Sequence, residues 1–331
     1  MGISIVTEKV QESKVFEVVT YEDSFALWLE MTDKSERTVK LYLTGLCDFR
    51  VWFEQLRGKA LDPALITPLD VRAYRRYLAE ERRVKPATVN SYLAAVRAFC
   101  RWAMGAGLLA GDPSSGIKGI AIVPPAPRWL TRIEQYRVLN AAQERVQLAA
   151  LKFGDDASAP GVIRARRDRA IVVLMLNTGL RLSEVANLRM EDVVIHPRSG
   201  TVTTIGKGRK WREVKLNKDA RAALADWLAV RPGGSGEEQG DEPLFTSQKG
   251  GGGMTARAIA RRVERIGMLA GVKLTPHMLR HSLAKNMVDD GISMDKIGKA
   301  LGHSSLDTTQ RYTTPSGDDM QATMERVAWR D

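Results

Sequence analysis

"TVKLYLTGLCDFRVW", residues 38–52, is echoed fifty residues later by "TVNSYLAAVRAFCRW", residues 88–102. Tyr42 matches Tyr92, Phe49 matches Phe99 and Trp52 matches Trp102. The apolar positions recur at i, i+4 and i+7, the spacing of one helix face. Two similar helices packing together in a small bundle account for this pattern. Helical patterning begins near Tyr21 with "YEDSFALWLEM". Between the echoed segments, "TPLDVRAYRRYLAEE" is another helix, with Thr67 as its N-cap, Pro68 in the first turn and Asp70 at the third position. It carries Arg72, Arg75 and Arg76, with Lys85 and Arg97 close in sequence. Such patches lie against a phosphate backbone in some proteins and are solvated faces in others.

Working outward, residues 1–20 read as a mobile or strand-like lead and 21–119 as a helical domain ending around "GDPSSGIKG". "IAIVPPAPR", residues 120–128, is an extended linker that Pro124, Pro125 and Pro127 stiffen. A second domain covers 129–312. Its first helix opens with a capping box from Thr131 and Glu134. "FGDDASAPGVIR", 153–164, reads as a loop, and "RDRAIVVLMLNTG" as a mostly buried helix ended by Gly179. "LSEVANL" is a short helix. "GTVTTIGKGRKWREVKLN" alternates and turns at Gly206–Gly208, a hairpin in a small antiparallel sheet. The remainder is mainly helical, with Gly-rich loops. "MQATMERVAW" at 320–329 presents Met320, Met324 and Val327 as an apolar stripe.

The bulk numbers bound the function. The chain has 331 residues and 44% hydrophobic content, enough for two cores. It contains no run of 18 apolar residues and no signal-peptide pattern, so a cytoplasmic protein without a membrane partner is expected. Cys47 and Cys100 both lie in apolar helical patterns and read as buried thiols. The formal net charge is +11. Residues 1–127 carry 17 basic against 15 acidic side chains, and residues 128–331 carry 33 against 24. A basic surface attracts nucleic acid or anionic lipid, although charge alone also serves solubility.

Several groups in the second domain bear chemistry. Arg181 follows Gly179-Leu180 at a helix junction, where a guanidinium can grip a phosphate through paired donors. A surface arginine is the plainer reading. Lys207 sits in a Gly-Lys-Gly turn that lacks the rest of a nucleotide-binding loop, and reads as a hairpin-tip lysine able to reach a ligand held elsewhere. Arg209, Lys210 and Arg212 extend this basic strand as candidate backbone contacts. "TPHMLRHSLAKNM", 275–287, places His277 and Arg280 three apart behind Pro276, on one face at a helix start. His277 and His281 stand at i, i+4, but no Glu follows His277 and no Cys helps, so metal ligation is not expected. His281 reads as a support for its helix. His196 reads as a loop or strand-edge residue. "LGHSSLDTTQRYT" supplies His303 and Tyr312. A free tyrosine has a pKa near 10, so its attack on phosphorus needs a proton acceptor or surrounding positive charge. No G-x-S-x-G elbow accompanies the "GHSS" segment, which excludes that serine-hydrolase pattern.

Taken together, "NTGLRLSE" with Arg181, "GKGRKWREV" with Lys207, "HMLRHSLA" with His277 and Arg280, and "LGHSSLDTTQRYT" with His303 and Tyr312 resemble the tyrosine recombinases. These form the phage integrase family, and the likeness is to its Xer-like branch. The resemblance runs from about Phe25 to Tyr312. It implies a two-domain, mainly α fold: an N-terminal helical core-binding (SAM-like) bundle and a C-terminal mixed α/β catalytic domain with a small antiparallel sheet. It implies that Tyr312 attacks a DNA phosphate and leaves a 3′-phosphotyrosyl link. Arg181 and Arg280 would hold the nonbridging oxygens and Lys207 would protonate the leaving oxygen. His277 would assist proton transfer and His303 would support the phosphate. Glu184 would hold the site together without reacting. No metal or cofactor is implied. The implied partners are double-stranded DNA with paired sites, three further copies in a tetramer, and an accessory protein or second recombinase. Residues 313–331 would dock on a neighbouring subunit. Type IB topoisomerase activity, or DNA binding by an inactive relative, is the alternative.

Overall fold

The computed structural model describes residues 20–32, 34–122, 127–154, 156–205, 211–233, 241–247 and 252–302. Lys207, Arg209, Lys210, His303, Tyr312, Pro124, Pro125, the lead 1–19 and the tail 313–331 lie outside the described residues. The chain divides into two compact units, Met1–Pro124 and Pro125–Asp331.

The first unit is helical: α1 (Tyr21–Glu30), α2 (Glu36–Arg57), α3 (Pro68–Arg76) and α4 (Pro86–Gly105). Thr20 and Asp23 cap α1 reciprocally, which fixes its start at Tyr21. The Thr67–Asp70 capping box starts α3 as its sequence indicates. The Asp70 carboxylate is also gripped by Arg57 Nη2, at 2.6 and 2.9 Å. α2 and α4 are the echoed pair, packed face to face. They meet at Gly45 and Ala95, which are themselves equivalent at the offset of 50. A Cβ on Gly45 would stand 2.8 Å from the Ala95 Cβ. The core around this crossing is aromatic, with Phe25, Phe49, Phe53, Tyr74 and Phe99 fully buried. Phe25 meets Phe99 edge to face at 5.4 Å, and Phe49 meets Tyr74 at 5.0 Å. Each such ring contributes roughly 1.5–3 kcal/mol by burial. Cys100 is buried within this core, but Cys47 is exposed, contrary to expectation. Leu46, Phe49 and Phe53 define the inward stripe of α2, and position 47 lies one step, about 100°, off it.

The second unit contains α5 (Arg132–Phe153), α6 (Pro160–Thr178), α7 (Leu182–Asn187), β1 (Val193–Ile195), β2 (Gly200–Ile205), β3 (Trp211–Lys215), α8 (Lys218–Leu228), α9 (Ala256–Leu269), α10 (Pro276–Asp289) and α11 (Met294–Leu301). α6 runs through the core, with an uninterrupted buried run from Ala170 to Leu176. It starts at Pro160, so the expected loop at 153–164 is shorter than read. Proline costs a helix nothing in its first turn, and Gly161 lets the new helix close on the Phe153 ring. The sheet has antiparallel order β1-β2-β3, pairing Val193 with Val202 and Val202 with Val214. β2 and β3 form the expected hairpin, and β1 adds a strand too short to be legible as alternation. Among the described residues, no helix is long and apolar enough to cross a membrane.

Candidate active site

Two helix ends and two helix starts build the site. α6 stops at Gly179, whose φ of +63° is the left-handed conformation glycine adopts without strain. The chain reverses and Arg181 becomes the N-cap residue of α7. Its backbone N–H donates to Glu184 Oε2 at 2.7 Å, and its Nη1 donates to Glu184 Oε1 at 2.8 Å. Glu184 is 6% exposed. It therefore fixes both the backbone and the side chain of Arg181. α10 starts at Pro276, with Thr275 accepting from the Met278 N–H. This puts His277 on the exposed first turn and Arg280 inside. The Arg280 guanidinium donates through Nη1 to Gly179 O, and through Nη2 to Leu301 O at 2.7 Å. The His277 and His281 rings stack with centroids 6.4 Å apart. Among the described residues, no group of three His, Cys, Asp or Glu side chains is placed to hold a metal.

The C-terminal end of α11 is the organising feature. Its last carbonyls receive three arginines in succession. Arg212 Nη1 donates to Ala300 O at 2.9 Å, Arg280 Nη2 to Leu301 O, and Arg181 Nη2 to Gly302 O at 2.9 Å. These are the carbonyls a helix leaves without internal partners, and they carry the negative end of its dipole. Arg212 also donates Nη2 to Glu184 Oε2 at 2.9 Å. Burial of its guanidinium, together with the neighbouring Arg181 charge, lowers its pKa from the ordinary arginine value against the attraction of Glu184. Among the described residues, one carboxylate and the carbonyls at two helix ends thus engage three guanidiniums. Three guanidiniums stand to one carboxylate among the described residues here, and Arg181 is 34% exposed. Such a set can bind an anion through charge-assisted, directional hydrogen bonds.

Of the sequence-predicted residues, the structure brings Arg181, Glu184 and Arg280 together and sets His277 on the same helix turn as Arg280. The candidate DNA-backbone residues divide. Arg72, Arg76 and Lys85 are exposed and Arg75 is half-buried. Arg97 is turned inward, donating to Ile117 O. Arg212 is likewise engaged within the protein. Strand alternation places it with Val214 on the covered face of β3. The role of the Ala300–Gly302 carbonyls had no sequence signal beyond the helix-stopping Gly302.

This cluster of arginines, gathered where α6, α7, α10, α11 and β3 meet, has the donors to engage an anion. Residues 156–317 match the phage integrase family, and residues 23–108 match the phage integrase N-terminal SAM-like domain. The chain is 31% identical to tyrosine recombinase XerC of Corynebacterium efficiens over 304 residues, 92% of this chain and 88% of that one. It is 34% identical to XerC of Pseudomonas aeruginosa over 248 residues, 74% of this chain and 75% of that one. Its fold is similar to the XerH site-specific recombinase in a post-cleavage complex with a palindromic difH substrate, with TM-score 0.67, 23% identity, and coverage of 88% of this chain and 79% of that one. It is also similar to a lambda integrase dimer bound to a COC′ core site, with TM-score 0.63, 16% identity, and coverage of 94% and 97%. The chain belongs to the phage integrase family of tyrosine recombinases, within its Xer-like branch. It is a tyrosine site-specific recombinase, and the topoisomerase and inactive-binder alternatives are not favoured.

Proposed function

We propose that the chain recombines paired sites in double-stranded DNA by the following cycle. The Tyr312 hydroxyl attacks the scissile phosphorus. A bond forms between its oxygen and phosphorus, and the bond to the 5′ oxygen breaks. Arg181 and Arg280 donate to the nonbridging oxygens and stabilise the pentacoordinate charge. Lys207 gives the departing 5′ oxygen its proton, and His277 and His303 assist the tyrosine proton and the phosphate. The 5′-hydroxyl of a partner strand then attacks the 3′-phosphotyrosyl bond and releases Tyr312. Two such exchanges pass through a Holliday junction. The phosphoester energy is kept in the protein link, so no nucleotide is consumed. The observation that supports this assignment is the convergence of Arg181 and Arg280 on Gly302 O and Leu301 O, one and two residues before His303. The working assembly on this reading is a homotetramer on two sites in the cytoplasm. Residues 21–119 and 129–312 act as core-binding and catalytic domains, and residues 313–331 dock on a neighbour. Arg72, Arg76 and Lys85 contact the phosphate backbone.

The test uses duplexes carrying candidate sites from the gene's flanks, nicked just after the cleavage position so that a short fragment diffuses away. Wild type should give a covalent protein–DNA band on a denaturing gel without metal. Tyr312→Phe should bind the same DNA and give none. A band with Tyr312→Phe would reject Tyr312 as nucleophile. Binding without a band in wild type, across mapped sites and with candidate partners added, would reject the activity.

A further inference from the structure

We propose that Arg212 is a positioning residue for strand cleavage, acting through Arg181 and through the end of α11. The inference rests on the assignment of Arg181 to the scissile phosphate. Three observations carry it. First, Arg212 reaches from β3 to two other elements at once, Glu184 on α7 and Ala300 O on α11, both at 2.9 Å. Second, Glu184 Oε2 is shared between Arg212 Nη2 and the Arg181 backbone N–H, so the position of that carboxylate sets the Arg181 guanidinium. Third, Arg212 forms the floor under Gly302. A Cβ added there would stand 2.8 Å from Arg212 Nη1, 2.9 Å from Cζ and 3.0 Å from Cδ. Gly302 itself is left-handed, with φ +66°. It accepts from Arg181 through its carbonyl and is followed in sequence by His303. One guanidinium therefore sets the direction of Arg181 and the exit of the chain from α11.

The rival role for Arg212 is a direct contact to a DNA phosphate. Its side chain is 14% exposed, and both Nη atoms are engaged by protein acceptors. A lysine cannot replace it, because a single ammonium lacks the planar fork that spans a carboxylate and a carbonyl in different directions.

The experiment compares wild type, Arg212→Ala, Arg212→Lys and Arg181→Ala on the nicked site mapped with the wild-type protein. It measures DNA affinity across a salt series and the single-turnover rate of the covalent complex. Positioning predicts near-wild-type affinity and salt slope for both Arg212 variants, with cleavage slowed about 100-fold, the scale of an ångström's misplacement. Added guanidinium ion at non-denaturing concentration should speed Arg212→Ala but not wild type. Loss of affinity with a salt slope reduced by about one would overturn the proposal in favour of a phosphate contact. Wild-type cleavage rates in both variants would overturn it outright. Should Arg212→Ala fail to fold, Arg212→Lys decides by the same split between binding and rate. Arg181→Ala separates the two levels. If it cleaves normally, the site assignment itself fails. If it is inactive while the Arg212 variants are normal, only the positioning role fails.

Discussion

Asp168→Asn should destabilise the C-terminal unit by about 3 kcal/mol while leaving the chemistry of the folded molecules intact. Asp168 is fully buried on α6. Its Oδ2 accepts from Arg145 Nη1 at 3.0 Å, and its Oδ1 from Arg167 Nε and Nη2 at 3.3 and 3.1 Å. Arg167 is itself 2% exposed, and its Nη1 donates to Thr246 O at 2.9 Å. Burial, together with the nearby Arg262 and Arg164, lowers the Arg167 pKa against the attraction of Asp168. The amide keeps the shape and removes the charge, leaving Arg167 as a buried cation facing neutral acceptors. Breaking a buried pair in this way costs about 3–5 kcal/mol. Arg145 is 23% exposed and can turn to water, which favours the lower end. For a unit of this size the unfolding midpoint should fall by roughly 6–12 °C. Calorimetry on the full chain should show the shift in the C-terminal transition, with the N-terminal one unmoved. Replacing the pair by Arg167→Met with Asp168→Leu should recover most of the loss, since well-packed apolar residues substitute for buried ion pairs. Asp168 stands 11 residues before Gly179, about 16 Å along α6, so cleavage per folded molecule should be unchanged. A midpoint shift below about 2 °C, or an equal loss in the double variant, would refute the reasoning.

Gly45→Val should cost the N-terminal unit about 1–3 kcal/mol by overpacking the α2–α4 crossing, where a β-carbon on residue 45 would stand 2.8 Å from that of Ala95; an unchanged denaturation midpoint would count against this crossing. Gly179→Ala should cost about 1–2 kcal/mol in left-handed strain. It also presses on Leu301 and shifts the Gly179 carbonyl that holds Arg280, so cleavage should slow more than DNA binding weakens; equal losses would point to general destabilisation instead. A thiol reagent at about pH 8 should titrate Cys47 rapidly in the native protein and Cys100 only after unfolding, because burial pushes the Cys100 thiol up to about 12. Tyr74 is raised in the same direction by burial and by its bond to Asp48. Both groups favour the neutral form in the fold, so their contribution is complete below the unfolded values. It is lost as pH rises from about 9 toward the folded values. The N-terminal unfolding midpoint should therefore be level from about pH 7 to 8.5 and fall above about 9. A midpoint that rises there would reverse the sign.

Much of this fold was legible because the signals were local and redundant. The capping boxes at Thr67 and Thr131 fixed helix starts to the residue, since a side chain three positions away answers each cap. The echo of Phe49 and Trp52 in Phe99 and Trp102 identified two inward faces at once. What escaped was decided by orientation at single positions. Cys47 is exposed because one step on a helix is enough to leave the core stripe. Arg97 and Arg212 read as cations for a partner, yet each finds a backbone carbonyl within its own unit. An arginine's charge is visible in sequence, whereas the carbonyl that satisfies it belongs to a segment 20 residues away for Arg97 and 88 for Arg212. The motif residues Arg181 and Arg280 were recognisable, but their common support was not. It is made of main-chain atoms at Ala300–Gly302, which any sequence able to end a helix there would supply.

That main-chain support has a consequence for how the site keeps its charge. Three guanidiniums cannot be held side by side without something negative between them. Carboxylates on all three would orient them well and leave little net charge for an incoming anion. Among the described residues Glu184 supplies one formal charge, shared by Arg181 and Arg212, and helix carbonyls supply further acceptors. The end of α11 contributes about half an elementary charge, spread over acceptors fixed by the helix. Arg280, deepest of the three, is held by the carbonyls of Gly179 and Leu301. On the proposed reading this is what a transition state with developing phosphate charge requires: donors aimed in advance, and an attraction that carbonyl dipoles orient without cancelling. It also explains why the helix ends here in a glycine. A side chain at position 302 would strain the left-handed turn and collide with Arg212, displacing both the carbonyl that Arg181 uses and the start of the segment that leads to His303 and Tyr312.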